Sequence, residues 1–400
     1  MVIGSLNVGG AERDVAQVAP KLVRRGWAVA VYCLSEPGVL GTRLREEGLE
    51  VQASPWRGTD LIAGSIVKRT LRMATSGVWL CLYMLRWRPR IVHFFLPQAY
   101  LVGGLCAWIT NRPIRVMSRL SLSNYQQRRP TVAKLERYLH GRMTAIVGNA
   151  KAVLDQLRSE EHVPSDRLGL IYNGIDRAAV EPARTRAETR RLVGISEKAL
   201  VIVIIANLIP YKGHRDLLEG LAGIAHALPS QWRLLCVGRD SGSAGELDAF
   251  AQQLDIATNI LWLGHRDDVP DILHAADMGV SSSHEEGFSN AVLEGMAAGL
   301  AMVATDVGGN AEAVVHGCTG LIVPPRDPEA LAEAILILGL DADLRARYGT
   351  EGRRRVFEEF SLSHCVDRYE SLYRGLAAGK SAEEALGQAQ MKPKLSRSTC

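Results

Sequence analysis

The chain contains 400 residues, of which 47% are apolar and 22% are charged, close to the average for soluble globular proteins. This length is too great for one ordinary domain core and predicts two domains. The seven cysteines are dispersed, with no C-x-x-C pair and no histidine at zinc-ligand spacing. This pattern argues against a metal or redox role and favours reduced thiols in the cytoplasm.

The net charge of +4 conceals an uneven distribution. Residues 1–180 hold 25 Lys and Arg against 13 Asp and Glu, whereas residues 181–400 hold 22 against 30. Such a split predicts that the first half meets an anionic partner, for which membrane headgroups, a lipid diphosphate and nucleic acid all qualify. No basic–aromatic surface motif accompanies the charge, so we expect no nucleic acid. Solvated arginine-rich helices are the alternative to any partner.

Short apolar runs alternate with longer amphipathic runs, a pattern that predicts parallel α/β sheets. No signal peptide precedes the first run, as expected of a cytoplasmic protein. Residues 11–25 have an apolar stripe on one helical face and predict the first helix. The strands predicted in the first half span residues 2–6, 28–34, 50–53, 90–95, 114–118, 144–147 and 168–172.

Residues 91–110 carry no Asp, Glu, Lys or Arg, and their length is about that of a membrane-spanning helix. Pro97 and Gln98 interrupt the segment, and Gly103-Gly104 weaken it as a helix. A strand, a short loop and a buried helix therefore explain the segment better than a transmembrane span.

The second half begins after a polar stretch, with six consecutive apolar residues at 200–205 that have the signature of a central parallel strand. Two helices are predicted over residues 328–357, then a final amphipathic helix from Phe360 to Leu376 and a disordered tail from 379 to 400. The further strands predicted here span residues 233–237, 260–263, 278–281, 301–304 and 320–323.

The predicted domains are therefore residues 1–180 and 181–358, followed by a helix over 359–378 and the tail. Each domain has the alternation of a Rossmann-like unit, and a cleft is expected between the two. In such α/β folds, ligands bind at the carboxyl ends of the strands.

Two short motifs occur where such a fold binds ligands. Gly9-Gly10 follow the first strand at the start of a helix, where free backbone N–H groups can meet a phosphate. This is not the G-x-G-x-x-G fingerprint, so a dinucleotide redox cofactor is not indicated. Lys212 lies in the loop after the central strand, where its ammonium can offset the charge of a phosphate; a plain surface lysine is the alternative.

The most informative segment is 281–299, SSSHEEGFSNAVLEGMAAG. A helix should begin near Ser289 or Asn290, whose side chains can cap it. Glu286 then precedes the helix and Glu294 lies about one turn inside it. The helix start suits a diphosphate, and a nearby carboxylate can accept bonds from sugar or ribose hydroxyls. For either glutamate alone, an exposed position on an amphipathic helix is an equally good explanation.

Taken together, these motifs resemble the retaining glycosyltransferases of family 4, which have the GT-B fold, and the resemblance spans roughly residues 2–376. Its most specific part is the E-x7-E motif from Glu286 to Glu294. The other matching segments are Gly9-Gly10-Ala11-Glu12, Asn173-Gly174-Ile175-Asp176, Lys212-Gly213, Leu263-Gly264-His265 with Asp268-Val269, Gly295-Met296-Ala297-Ala298-Gly299 and Gly308-Gly309-Asn310-Ala311-Glu312.

The resemblance implies a role for each matching residue. Glu286 would bind the hydroxyls of the donor sugar, Glu294 the ribose, and Lys212 the leaving diphosphate; His93 would be a further catalytic residue. The final helix would cross back onto the first domain. The donor-binding residues implied are Gly9, Gly10, Asn207, Lys212, Gly238, Arg239, Gly264, His265, Arg266, Glu286, Gly287, Phe288, Ser289, Asn290 and Glu294.

Two positions depart from the family pattern. Asn207 stands where relatives usually have an arginine that binds the diphosphate, a contact typically worth about 3 kcal/mol in the transition state. Arg239 or Arg266 would have to compensate. Phe95 replaces the second histidine of a His-x-His motif, so His93 is either functional or a buried structural residue.

The expected reaction is transfer of a hexose-type sugar, with retention, from a UDP- or GDP-sugar to a glycan or polyprenyl-linked glycan in bacterial envelope or exopolysaccharide synthesis. No Asp-x-Asp is placed to hold a divalent ion, so neither a metal nor a cofactor is expected. The apolar, Arg-flanked stretch from Val78 to Arg86 predicts peripheral docking on the inner face of the cell membrane. The alternatives are a sugar phosphorylase, a nucleotide-sugar epimerase, or an inactive homologue that serves as an assembly partner.

Overall fold

The computed structural model describes residues 1–55, 66–122, 126 and 129–387. It divides into two compact units, one formed by Met1–Gly174 together with the segment that begins at Leu362, the other by Ile175–Ser361. The first division thus falls somewhat before residue 180. Its cause is local, since the Ile175 N–H donates to the Phe360 carbonyl (2.9 Å) and Ile175 bridges to Ser361.

The first unit contains a sheet of seven parallel strands in the order β3-β2-β1-β4-β5-β6-β7. Six of the predicted strands form nearly as expected. The first is shorter than predicted, because the Leu6 N–H donates to the Pro37 carbonyl rather than to a neighbouring strand. The strands are β1 Val2–Ile3, β2 Ala30–Cys33, β3 Glu50–Ala53, β4 Ile91–Phe95, β5 Ile114–Arg119, β6 Ala145–Gly148 and β7 Leu168–Leu170.

Helices connect these strands. Residues 91–110 form β4 and a separate helix that starts at Pro97, as the sequence predicted, and none of the described helices has the length and apolar character needed to cross a membrane. Cys33, Cys81, Cys106, Cys236 and Cys365 carry free thiols. The helices are α1 Gly10–Arg24, α2 Gly38–Glu46, α3 Ile66–Trp87, α4 Pro97–Ile109, α5 Pro130–His140 and α6 Lys151–Ser159.

The second unit contains a sheet of six parallel strands in the order β10-β9-β8-β11-β12-β13. Five of the six residues of β8 are buried, as expected for a central strand covered on both faces. The strands are β8 Leu200–Ile205, β9 Trp232–Val237, β10 Ile260–Gly264, β11 Met278–Ser281, β12 Ala301–Thr305 and β13 Gly320–Val323. The helices are α7 Arg186–Leu192, α8 His214–Ile224, α9 Ala244–Gln253, α10 Val269–Ala275, α11 Asn290–Ala297, α12 Asn310–Ala313, α13 Pro328–Leu340 and α14 Ala342–Glu359.

The chain ends, as far as it is described, in two helices of the first unit, α15 (Leu362–Ala377) and α16 (Ala382–Leu386). The prediction that disorder begins at residue 379 is wrong for residues 379–387. Ser381 and Glu384 form a capping box, and Ala382 and Leu386 are buried against the first unit. Residues 388–400, the rest of the predicted tail, lie outside the described residues.

Candidate functional site

The site in the second unit lies where the strand order of its sheet reverses. β8 and β11 are neighbours in the sheet although two strands separate them in sequence. From this pair the chain winds outward in both directions, through β9 and β10 on one side and β12 and β13 on the other. Such a reversal leaves a crevice at the carboxyl ends of the two central strands, where doubly wound sheets bind ligands.

Lys212 and Glu286 meet at this reversal. Lys212 ends a 3-10 turn after β8, Glu286 lies in the loop after β11, and the Lys212 Nζ donates to Glu286 Oε1 at 2.6 Å. The Ser283 hydroxyl donates to the same carboxylate oxygen at 2.7 Å. Both charged side chains remain partly accessible, at 19% and 12% exposure. The sequence predicted both residues for the donor site, but their direct pairing depends on the strand order.

Further bonds fasten the Lys212 turn to the loop after β11. The Ser282 hydroxyl donates to the Lys212 carbonyl (3.0 Å) and the His284 N–H to the Tyr211 carbonyl (2.7 Å). His284 Nε2 also pairs with Asp216 Oδ2 at 2.7 Å. The Thr305 hydroxyl also donates to the Ser283 carbonyl at 2.6 Å. Sequence reasoning missed these supporting residues, although the run of three serines before Glu286 was a visible signal. The supporting residues are Tyr211, Asp216, Ser282, Ser283, His284 and Thr305.

Ser289, one of the two residues that the sequence offered as the cap, caps α11, because its hydroxyl accepts the Val292 N–H at 3.4 Å. Glu286 precedes this helix and Glu294 lies in its second turn, partly buried. The loop between them is held in place, since the Gly287 carbonyl accepts a backbone bond from Gly309 (2.5 Å) and the buried Phe288 ring packs on Phe360, with centroids 5.1 Å apart. Glu286 thus precedes the N-cap by three residues, and the end of α11 that follows it is the positive end of the helix dipole.

The loops after β8, β9 and β10 are bonded to one another. The Asn207 carboxamide oxygen accepts the Arg239 backbone N–H (3.0 Å), and the Gly238 N–H donates to the Gly264 carbonyl (2.9 Å). Asn207, predicted to bind the donor, thus uses its carbonyl oxygen to hold a neighbouring loop. The Arg239 side chain is exposed.

Arg266 is already neutralised by a neighbour. Its guanidinium donates two bonds to Asp268, at 2.8 and 2.7 Å, and these bonds raise the pKa of Arg266 and lower the pKa of Asp268. His265 lies beside it, with Nε2 3.6 Å from Asp267. Within the described part of the chain the guanidinium of Arg239 has no ion pair, so of the two residues that were candidates to replace the missing arginine, Arg239 has the available charge.

His93 lies in the interior of the first unit. Its Nδ1 is 2.7 Å from the Tyr373 hydroxyl, its Nε2 is 2.8 Å from the Ser118 hydroxyl, and its ring stacks on Phe95 with centroids 4.2 Å apart. Burial holds the pKa of His93 well below its usual range. The sequence left two alternatives for His93, a functional residue or a buried structural one. Because both ring nitrogens are bonded to core side chains, its geometry is that of a buried structural histidine rather than of a catalytic residue.

The other predicted residues of the first unit, Gly9 and Gly10, form the start of α1, where the Gly9 carbonyl accepts the Arg13 N–H at 3.0 Å.

In the second unit, His214 opens α8 directly after the Lys212 turn, and neither of its ring nitrogens has a hydrogen-bond partner among the described residues. Burial, followed by the nearby Lys212 charge, lowers the pKa of His214 to about 4. The imidazole is therefore neutral at ordinary pH.

Comparisons with known proteins identify the family and the fold of this chain. A family model described as Glycosyltransferase Family 4 matches residues 8–179, and one described as Glycosyl transferases group 1 matches residues 199–341. These two ranges together include well over half of the chain. The structure of Anabaena HepE in complex with UDP-glucose superimposes with a TM-score of 0.80 at 20% identity, over 94% of this chain and 99% of that one, which shows a shared fold.

Two curated relatives are more similar to this chain in sequence but are covered over less of their length. The N-acetyl-alpha-D-glucosaminyl L-malate synthase of Bacillus anthracis is 30% identical over 56% of this chain, and the match spans 58% of that relative's length. The D-inositol 3-phosphate glycosyltransferase of Rhodococcus jostii is 26% identical over 93% of this chain and 85% of its own. The two family models and the two α/β units lead to one assignment. The chain belongs to the group 1 glycosyl transferases of glycosyltransferase family 4.

Proposed function

We propose that this protein transfers a hexose-type sugar, with retention of anomeric configuration, from a UDP- or GDP-sugar to a glycan or polyprenyl-linked glycan acceptor. The proposed setting is the synthesis of a bacterial envelope or exopolysaccharide, in the cytoplasm at the inner face of the cell membrane. The Anabaena structure with UDP-glucose and the relatives named as a glucosaminyl-malate synthase and an inositol-phosphate glycosyltransferase support this reaction class.

The observation that carries the proposal is the contact between Lys212 and Glu286. An ammonium and a carboxylate joined at 2.6 Å, both partly accessible, can be engaged together by a ligand that has anionic oxygens next to hydroxyl groups. The junction between the sugar and the diphosphate of a nucleotide sugar has this chemistry. The diphosphate pairs with the Lys212 ammonium, and the sugar hydroxyls donate hydrogen bonds to the Glu286 carboxylate. One ligand thus replaces the internal ion pair.

The surrounding residues extend this binding mode. The start of α11 offers a positive dipole end to the diphosphate, and Glu294, in the second turn of the same helix, accepts bonds from the ribose hydroxyls. The exposed guanidinium of Arg239 supplies the positive charge to the diphosphate that an arginine in place of Asn207 would supply. Gly264 and His265 flank the base.

The proposed mechanism uses positioning and charge stabilisation rather than a protein nucleophile. The acceptor hydroxyl attacks the anomeric carbon on the face from which the diphosphate leaves, which retains the configuration. The departing diphosphate oxygen takes the proton of that hydroxyl. Lys212 stabilises the negative charge that develops on this oxygen, and electrostatic stabilisation of this kind is usually the largest single contribution to catalysis.

The direct test measures nucleoside diphosphate release from a panel of UDP- and GDP-sugars in the presence of a membrane lipid extract. We expect one donor to be turned over and the Glu286→Ala variant to lose roughly two orders of magnitude or more in rate, since it lacks contacts made to the reacting sugar. Glu285→Ala is the matched control, because Glu285 is the preceding residue and the Lys212 bond goes to Glu286.

Three other outcomes would contradict the proposed transferase. Formation of a sugar 1-phosphate would identify a phosphorylase, and an epimerised donor without acceptor would identify an epimerase. Nucleotide binding without turnover of any donor would favour an inactive assembly partner.

We also propose that transfer needs no divalent metal. Within the described residues no group of three or more His, Cys, Asp or Glu side chains is arranged to hold a metal ion, and Lys212 with the α11 start supplies positive charge in its place. Turnover is expected to be unchanged by EDTA. Loss of activity in EDTA, restored by manganese, would contradict this proposal.

A further inference from the structure

Two free thiols lie together where α4 packs on α3. The Cys106 thiol donates to the Gly77 carbonyl at 3.3 Å. In an α-helix that carbonyl also accepts the N–H of the residue four positions later, which is Cys81. The Cys106 thiol and the Cys81 backbone thus share one acceptor, and the two thiols are hydrogen-bonded to each other. Their spacing along the chain gave no sign of this pair, because the two cysteines belong to different helices.

The packing of the two helices holds this thiol pair in place. Gly77 lets α4 approach closely, since a Cβ added there would lie 3.6 Å from both the Cys106 sulfur and Val102 Cγ1. Further along α3, the Thr110 hydroxyl contacts the Met84 sulfur at 3.6 Å. The two thiols lie between these contacts, so a bond between their sulfurs needs rotation of the side chains and no displacement of either helix.

The two thiols differ in their access to solvent. Cys81 is partly exposed, whereas Cys106 is only 5% exposed. Burial, followed by the neighbouring Cys81 thiol, raises the pKa of Cys106. Cys106 therefore stays a protonated thiol and is not the first to react, because the thiolate is the nucleophilic form. An accessible sulfur with a second sulfur directly behind it is the arrangement in which a resolving cysteine traps an oxidised one.

Two other roles fit the thiol pair less well. Cysteine can serve as a small apolar residue of the core, and Cys33, Cys236 and Cys365 are buried in that way. Cys81 differs from them because it is partly exposed and bonded to a second thiol. A structural metal needs more ligands than two thiols, and the described part of the chain holds no cluster of three or more His, Cys, Asp or Glu side chains fit for a metal ion.

We propose that Cys81 and Cys106 form an oxidation site, at which a hydroperoxide converts the two thiols into a disulfide that links α3 to α4. The Cys81 sulfur attacks one peroxide oxygen and the O–O bond breaks. Cys81 becomes a sulfenic acid, and the leaving oxygen takes the proton that Cys81 gave up. The Cys106 sulfur then attacks the Cys81 sulfur, and the hydroxyl group of the sulfenic acid departs as water with the Cys106 proton. Two electrons pass from sulfur to oxygen, and the hydroperoxide is the only co-reactant.

The test treats the purified, reduced chain with hydrogen peroxide under native conditions, alkylates the remaining thiols and digests the chain with trypsin. Arg86 and Arg90 lie between the two cysteines, so trypsin separates the two halves of the link. Mass spectrometry is expected to find Cys81 joined to Cys106, with a mass lower by the two thiol hydrogens, and dithiothreitol should restore both thiols. In urea the yield of this link should be at least roughly fivefold lower, because the unfolded chain does not hold the two sulfurs together.

Single variants separate the roles of the two sulfurs. Cys106→Ala is expected to stop the oxidation of Cys81 at the sulfenic acid, which dimedone then labels. Cys81→Ala is expected to leave Cys106 as a thiol, because Cys106 is shielded from the peroxide by burial. The matched control is Cys236→Ala, which removes a buried thiol on β9 of the other unit. This control should form the link in the same yield as the wild type.

A thermal melt provides a readout that does not depend on alkylation. The disulfide closes a loop within the first unit and restricts the unfolded chain, so oxidation should raise the Tm of the wild type and of Cys236→Ala by several degrees, but not that of Cys106→Ala. Oxidation of Cys81 to the sulfinic acid without a link, or an equal yield of the link in urea, would overturn the inference.

This inference is independent of the proposed function. The two thiols lie in the first unit, whereas Lys212 and Glu286 lie in the second. Formation of the link without turnover of any nucleotide sugar would therefore sustain the oxidation site and contradict the transferase, and turnover without the link would do the reverse.

Discussion

Replacing Lys212 with methionine is expected to lower kcat by roughly two to three orders of magnitude, which corresponds to about 3–4 kcal/mol of transition-state stabilisation. Methionine keeps much of the chain length but removes the ammonium. In this variant the Oε1 atom of Glu286 keeps its bond from the Ser283 hydroxyl but loses the Lys212 ammonium. The unpaired Glu286 carboxylate would then repel the leaving diphosphate. Both the missing attraction and the new repulsion are largest when negative charge develops on the departing oxygen.

Steady-state kinetics with the donor identified in the panel assay would measure this effect. Lys198→Met is the matched control, because Lys198 is an exposed lysine of the same unit that lies before β8. Its kcat should equal that of the wild type. A change in Lys212→Met confined to KM, with kcat preserved, would mean that Lys212 binds the ground state and transition state equally and would contradict the assigned role.

Replacing Gly213 with alanine is expected to destabilise the second unit by at least about 3 kcal/mol and to abolish turnover. Gly213 has φ of +67°, and an added Cβ would lie 1.9 Å from the Ser282 carbonyl oxygen. Left-handed backbone costs an alanine about 1–2 kcal/mol, and the clash with backbone adds to this cost. Relieving the clash would push the Lys212 turn away from the loop after β11 and separate Lys212 from Glu286.

Gly194→Ala separates the two contributions. Gly194 also has a positive φ, +73°, but an added Cβ there would meet nothing within 4 Å. This control should therefore show only the conformational cost of about 1–2 kcal/mol and keep full activity. Urea unfolding of both variants against the wild type measures the difference. Equal destabilisation of the two variants would show that the close approach to Ser282 has no energetic consequence.

The sequence by itself determined the local elements of this protein. Runs such as 200–205 are apolar throughout and can only be buried, so their pattern predicts central strands within a residue or two. The cap of α11 was predicted to within one residue, Ser289 or Asn290, because capping depends on residues three positions apart. The capping box at Ser381 and Glu384 had the same kind of local signal, yet the short helix α16 was missed amid a polar tail.

The family assignment was also within reach of the sequence, since the E-x7-E motif and its companions occur in order along the chain. The two family models and the fold of the Anabaena relative confirm that assignment and the two Rossmann-like sheets. The predicted roles of individual residues remain predictions, which the Glu286 and Lys212 variants test.

The tertiary structure alone decided which of those residues meet. Lys212 and Glu286 are 74 residues apart in sequence, and they pair because β8 and β11 are neighbours in the sheet, which no local pattern encodes. One further assignment depended on a contact made in the fold, since His93 is bonded to Tyr373 on a helix 280 residues away. The neutralisation of Arg266 by Asp268, in contrast, is a contact between residues two positions apart. Hydrophobic periodicity and capping act between near neighbours along the chain, whereas burial and the pairing of distant charges such as Lys212 and Glu286 depend on which strands and helices lie side by side.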